Sequence, residues 1–134
     1  MGIDVGQKRV GLAVTDPLRI ISTGLDTVPA NQVFNYISEY VRKEKVDIFV
    51  VGSPVTMSNH PSGASKYVDP FVRKLKKMFG QIPVKLADER YTSSLAKQVI
   101  IDSGIGKKAR RDKARVDKIS AVIILQSFLD QENL

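Results

Sequence analysis

Four carboxylates stand where a purely structural sequence would put other residues. Asp4 interrupts an apolar run between Ile3 and Val5, and Asp88 and Glu89 close the stretch that ends at Ala87. Asp117 opens the apolar last segment, and helical spacing puts Ser120, Ala121 and Ile124 on its face. A carboxylate taken out of water alone is costly, so it finds a cation, a hydrogen-bond network or a metal. Taken singly, each has an ordinary explanation. Asp4 could accept backbone N–H groups in the turn at Gly6, Glu89 could pair with Arg90, and Asp117 could assist a helix start. Taken together they suit a hard cation, because carboxyl oxygens are what Mg²⁺ and Mn²⁺ select. Acids converging from a strand, a strand end and a helix beside a basic surface fit metal-assisted phosphodiester hydrolysis.

The rest of the composition removes the competing chemistries. The 134 residues contain no cysteine and a single histidine, His60. Thiol nucleophiles, sulfur-based zinc sites and multi-histidine centres are therefore excluded, and a Ser-His-Asp triad has almost no material. Formal net charge is +7, and the distribution says more than the total. Lys107, Lys108, Arg110, Arg111, Lys113 and Arg115 crowd one segment against Asp112 alone. Such a run is placed to hold a nucleic-acid backbone by counterion release. It carries no interleaved aromatic residue, so base stacking is not expected there. Lys8 and Arg9, in a turn beside Asp4, could meet a scissile phosphate or simply form a solvated hairpin tip. Arg90 could bind phosphate or brace Asp88.

These groups need a scaffold, and the apolar pattern supplies one. With 43% hydrophobic and 26% charged residues, residues 1–134 are expected to form a single domain. Glycine-punctuated runs at residues 1–6 and 10–14 read as two strands around a tight turn, and residues 20–28 as a third. Asn31 is placed to cap a helix bearing Val33, Phe34, Ile37, Tyr40 and Val41. Residues 47–52 read as a strand covered on both faces, 64–79 as a helix stopped by Gly80, and 83–87 as a strand. Helices over residues 93–102 and 113–130 complete the order. The expectation is an α/β fold of three layers. An antiparallel three-strand meander followed by alternating helix and strand gives a mixed five-stranded sheet with helices on both faces. No apolar run is long enough to span a bilayer and no signal segment opens the chain, so a cytoplasmic protein without a membrane partner is expected.

The motifs also resemble those of a known family. The stretch Gly2-Ile3-Asp4-Val5-Gly6-Gln7-Lys8-Arg9-Val10-Gly11-Leu12-Ala13 is similar to the first-strand signature of the YqgF/RuvX family. Asp88-Glu89-Arg90-Tyr91-Thr92-Ser93 resembles its Asp-Glu-Arg motif, and Val116-Asp117-Lys118 with the residues to Leu129 resembles its last helix. The motifs fall in the family's order from residue 1 to about 130. Family members carry a few more residues ahead of the first motif, so a short opening strand is expected. The loop over residues 55–63 departs from the family's Asn-Met-Asp-Gly-like stretch.

The resemblance implies a ribonuclease H-like fold of the Holliday-junction-resolvase type and a nuclease. It associates the family with 5′-end maturation of small-subunit precursor ribosomal RNA. It maps the family's acids onto Asp4, Glu89 and Asp117, with Asp4 bridging Mg²⁺ or Mn²⁺ and the other two completing the metal shells. Lys8, Arg9, Arg90 and the basic run from Lys107 to Arg115 are the expected nucleic-acid contacts. Precursor ribosomal RNA is the favoured substrate, whether free or in a pre-ribosomal particle. Branched DNA is the alternative, and a non-catalytic RNA- or ribosome-binding factor is the third reading. Either a monomer or a homodimer is compatible with these roles.

Overall fold

The computed structural model describes residues 1–18, 21–53, 65–88 and 113–132. Strands β1 (Gly2–Val5), β2 (Arg9–Thr15) and β3 (Ser22–Pro29) form the expected antiparallel meander. Helix α1 (Val33–Lys43) leads to β4 (Phe49–Ser53), and α2 (Ser65–Met78) leads to β5 (Val84–Asp88). Helix α3 (Lys113–Glu132) is the last described element. The five strands make one sheet in the order β3-β2-β1-β4-β5, with β4 parallel to β1 and β5 parallel to β4. The predicted helix over residues 93–102 lies outside the described residues.

Alternation along the strands sorts the core into two clusters on opposite faces. Ile3, Val10, Leu12, Phe49 and Val51 point one way, against Val33 and Ile37 of α1 and Val68, Phe71 and Leu75 of α2. Ala13 and Val50 point the other way, against Ala121, Ile124 and Leu125 of α3. Each large side chain buried on the first face contributes about 1.5–3 kcal/mol of apolar transfer. The residues read as the apolar rows of the first two helices are those that pack, including the half-buried Phe34, Tyr40, Val41, Val72 and Phe79.

Two local features differ from the sequence reading. Asn31 does not cap α1: the N-cap is Gln32, at φ −116° and ψ −6°, with no side-chain cap bond. Its backbone N–H donates to the Pro29 carbonyl at 2.9 Å, so a backbone turn leads into the helix without an Asx cap. The third strand ends at Pro29, and its pairing with β2 shifts register between Leu12 and Ala13. Asp26 pairs with Leu12 while Gly24 pairs with Ala13, which leaves Leu25 as the extra residue of a bulge. The bulge reverses side-chain parity along β3, so Asp26 faces α1 whereas Gly24 faces α3.

Candidate active site

The parallel strands β1, β4 and β5 end at a common edge, at Val5, Ser53 and Asp88. In α/β sheets that carboxyl edge is where ligands bind. Asp4 sits one residue before the end of β1, half-buried, on the face covered by α3. Its cross-strand partner is Gly11. Continuing the register of Gly2 with Val50 and Ile3 with Val51 by one residue sets Gly52 on its other side. Neither neighbour projects a side chain at that level, so the strands leave room around the carboxylate.

Helix α3 reaches this place by its direction. The Ser22 N–H donates to Gln126 Oε1 at 3.0 Å, and Gly24, two residues further along β3, abuts the Lys118 stem. Moving forward along β3 is therefore moving backward along α3, and β3 runs in the same sense as β1. On β1, Gly2 lies under Ala121 and Leu125, so closely that a β-carbon there would stand 2.9 Å from the Ala121 carbonyl oxygen. From that contact, Asp4 is about 7 Å forward along the strand. Asp117 is one turn, about 6 Å, back along the helix. The antiparallel course carries both toward the same edge.

Asp88 is the last residue of β5 and the register partner of Ser53. Its backbone lies two strands from β1, about 10 Å across the sheet. Glu89 follows it outside the described residues, as do Arg90, Lys107, Lys108, Arg110 and Arg111. Lys113, Arg115 and Asp117 belong to the first turns of α3. Among the described residues no group of three His, Cys, Asp or Glu side chains is assembled for a metal; of the three acids read from the sequence, Asp4 and the backbone of Asp117 are described and Glu89 is not.

The turn after β1 has the form read from the sequence. The Gly6 N–H donates to the Arg9 carbonyl at 2.9 Å, and the Lys8 carbonyl accepts from the Ala30 N–H at 2.9 Å. A β-carbon on Gly6 would stand 2.6 Å from that Arg9 oxygen, so only glycine fits the turn. Lys8 is exposed and Arg9 half-buried at the carboxyl edge. On α1, burial pushes the Tyr36 phenol above its ordinary range, with the Asp26 carboxylate adding to the effect, and burial raises Tyr40 likewise. Both tyrosines belong to the face away from Asp4. The sequence reading missed a set of residues on that face, near the end of β1, where Lys66, Tyr67 and Lys74 of α2 line a groove with Val5 and Gly6. The paired lysines flanking a helix-borne tyrosine were the available signal.

Comparison with known proteins joins these observations to a class. A family model described as "RuvX: Holliday junction resolvase" matches residues 1–131. A protein of Porphyromonas gingivalis named "Putative pre-16S rRNA nuclease" is 51% identical over 97% of this chain and 94% of its own length. Proteins of the same name from Bacteroides thetaiotaomicron and Flavobacterium johnsoniae are 47% and 40% identical, each over 98% of this chain and 96% of their own length. The chain is a nuclease, a hydrolase acting on phosphodiester bonds. It belongs to the RuvX family. Its mixed five-stranded sheet and three described helices are consistent with the ribonuclease H-like arrangement expected of that family. No helix among the described residues is long and apolar enough to cross a membrane.

Proposed function

We propose that this chain is a metal-dependent endonuclease of the cytoplasm that cuts precursor small-subunit ribosomal RNA during maturation of its 5′ end. We read residues 1–134 as one ribonuclease H-like domain, its sheet layered between helices. One observation carries the reading: Asp4 and the opening turns of α3 are directed to the same carboxyl edge at which β5 ends with Asp88, the residue before Glu89 in the sequence. The relatives' shared name supplies the RNA.

The donor set fits Mg²⁺ or Mn²⁺. Asp4, Glu89 and Asp117 offer only hard carboxyl oxygens, and Gly11 opposite Asp4 leaves space for a hydrated ion. When bound, such ions supply Lewis-acid activation of water and stabilise the leaving oxygen. The chain's own residues position the reaction. The sheet holds the Asp4 carboxylate in one direction, which lowers the reorganisation needed when charge develops. Lys8 and Arg9 stand at the end of β1, where a phosphate would arrive, and Arg90 adds a planar donor pair suited to it. The basic segment from Lys107 to Arg115 holds the flanking backbone and makes binding salt-dependent.

A second reading, resolution of branched DNA, is favoured by the description of the family model. A pre-ribosomal particle as the partner and a homodimer as the working form go with the first and second readings respectively. The deciding experiment incubates wild type and Asp4→Asn with a labelled precursor ribosomal RNA 5′ leader and with a four-way DNA junction, with Mg²⁺, with Mn²⁺ and without metal. The expected result is metal-dependent cleavage of the RNA that disappears in the variant. Cleavage of the junction alone would replace the RNA reading. An Asp4→Asn protein that fully complements loss of the gene would overturn catalysis as the role and leave an RNA-binding factor.

A further inference from the structure

We propose that a groove on the side of β1 opposite Asp4 receives an unpaired nucleobase of the RNA strand being cut. The inference rests on the nuclease reading and adds a requirement for single-stranded RNA beside the scissile bond. The groove holds about 320 Å³, at the small end of the roughly 300–1,000 Å³ range of ligand pockets, so it suits a ring system and not a secondary-structure element. Its wall is aromatic: Phe34 and Phe71 meet with centroids 4.8 Å apart, and Tyr67 keeps 40% of its surface exposed in the first turn of α2. Its rim is cationic: Lys66 and Lys74 are both exposed, with Lys74 Nζ 4.4 Å from the Phe34 ring centroid. No carboxylate is among the described lining residues.

An exposed aromatic face beside ammonium groups, with no carboxylate among the described lining residues, is what a base with its phosphate requires, since every base offers a π-face for stacking. Bases inside a duplex are already stacked on one another and do not present that face. Continuity with the candidate catalytic edge gives the groove its occupant. Val5 and Gly6 line the groove, and Asp4 immediately precedes them on the opposite face of the same strand. A strand lying across the end of β1 would thus present a phosphate to Asp4 on one side and a neighbouring base to Tyr67 on the other. Lys8, exposed in the intervening turn, stands along that path.

The test measures binding without metal, in EDTA, using a 12-nucleotide oligouridine RNA carrying one 2-aminopurine and a fully paired RNA of equal length. Wild type is expected to quench the 2-aminopurine on binding. Tyr67→Ala should lose the quench and weaken single-strand binding about tenfold, the scale of one lost base–aromatic stack. Tyr67→Phe should retain both, which separates stacking from any effect on folding. Replacing Lys66 and Lys74 together by Gln should reduce the salt dependence of single-strand binding by roughly 1.4 log units per log unit of salt. Unaltered quenching and affinity in Tyr67→Ala would overturn the proposal. So would a loss of equal size on the fully paired RNA, which would make the groove a general backbone contact. Because no cleavage is read, failure of the ribosomal RNA assignment would leave a Tyr67-dependent quench intact, and the two ideas fall separately.

Discussion

The two faces of β1 are built on different principles. On one, Ile3 joins Leu12, Phe49 and Val51 under two helices, and large side chains fill the space between sheet and helices. On the other, Gly2, Asp4, Gly11 and Ala13 leave a low surface, and α3 descends until Gly2 touches the helix backbone at Ala121. The bulky face sets stability and leaves at its margin the groove of Phe34, Tyr67 and Phe71. The low face brings helix and strand backbones into direct contact, which is the approach that the proposed metal site requires. Small residues beside Asp4 thus admit a helix closely where large ones beside Ile3 hold helices off.

Truncating the bulky face is the most damaging change expected. Phe49→Ala removes a fully buried ring that meets Phe79 at a tilt, centroids 5.6 Å apart, and should cost about 3–5 kcal/mol in a urea titration. Asp4→Asn should do the reverse, lowering cleavage about a thousandfold, near 4 kcal/mol of barrier, with the urea midpoint almost unmoved. A variant that lost stability and activity in proportion would erase the distinction between the faces. Gly2→Ala tests the close approach itself. Its β-carbon would lie 2.7 Å from Leu125 Cβ, so α3 must shift, at a cost of about 1–3 kcal/mol and with a fall in cleavage larger than the stability loss explains. Gly24→Ala is the control on the same helix. There the obstacle at 2.8 Å is Lys118 Cγ on a flexible stem that can move aside, and the change should stay within about 0.5 kcal/mol. Least of all, Ser22→Ala should be neutral or stabilise by up to about 1 kcal/mol, because the buried Ser22 hydroxyl has no hydrogen-bond partner among the described residues.

Much of this scaffold is legible because apolar spacing is a local signal. The strands that end at Val5 and Ser53, and the rows Val33–Ile37 and Val68–Phe71–Leu75, follow from periodicity alone. Asp4 is conspicuous for the same reason, as a charge between two residues that belong inside. What periodicity cannot carry is the relation between distant segments. Nothing around Leu25 marks the bulge that turns Gly24 toward α3, since an unpaired residue is defined only by its partner strand. Asn31 is a good cap by type, yet the backbone turn from Pro29 satisfies the helix entry without it. Tyr67 reads as one more helical residue until the end of β1 is laid beside it. Glu89 and the cations of residues 107–112 stand outside the described residues, so their part in the site rests on the motif.

The bond from Ser22 to Gln126 spans 104 positions of sequence, and the seat of Ala121 on Gly2 spans more. Such distant contacts close slowly, because the chain must lose loop entropy before they return anything. A ribosome releases the meander first and α3 last. The nascent chain therefore exposes Asp4 with the face around it uncovered, and α3 cannot cover that face until nearly the whole chain has emerged. If the site is the proposed one, a nuclease built this way would be inert during its own synthesis, when RNA is its nearest neighbour.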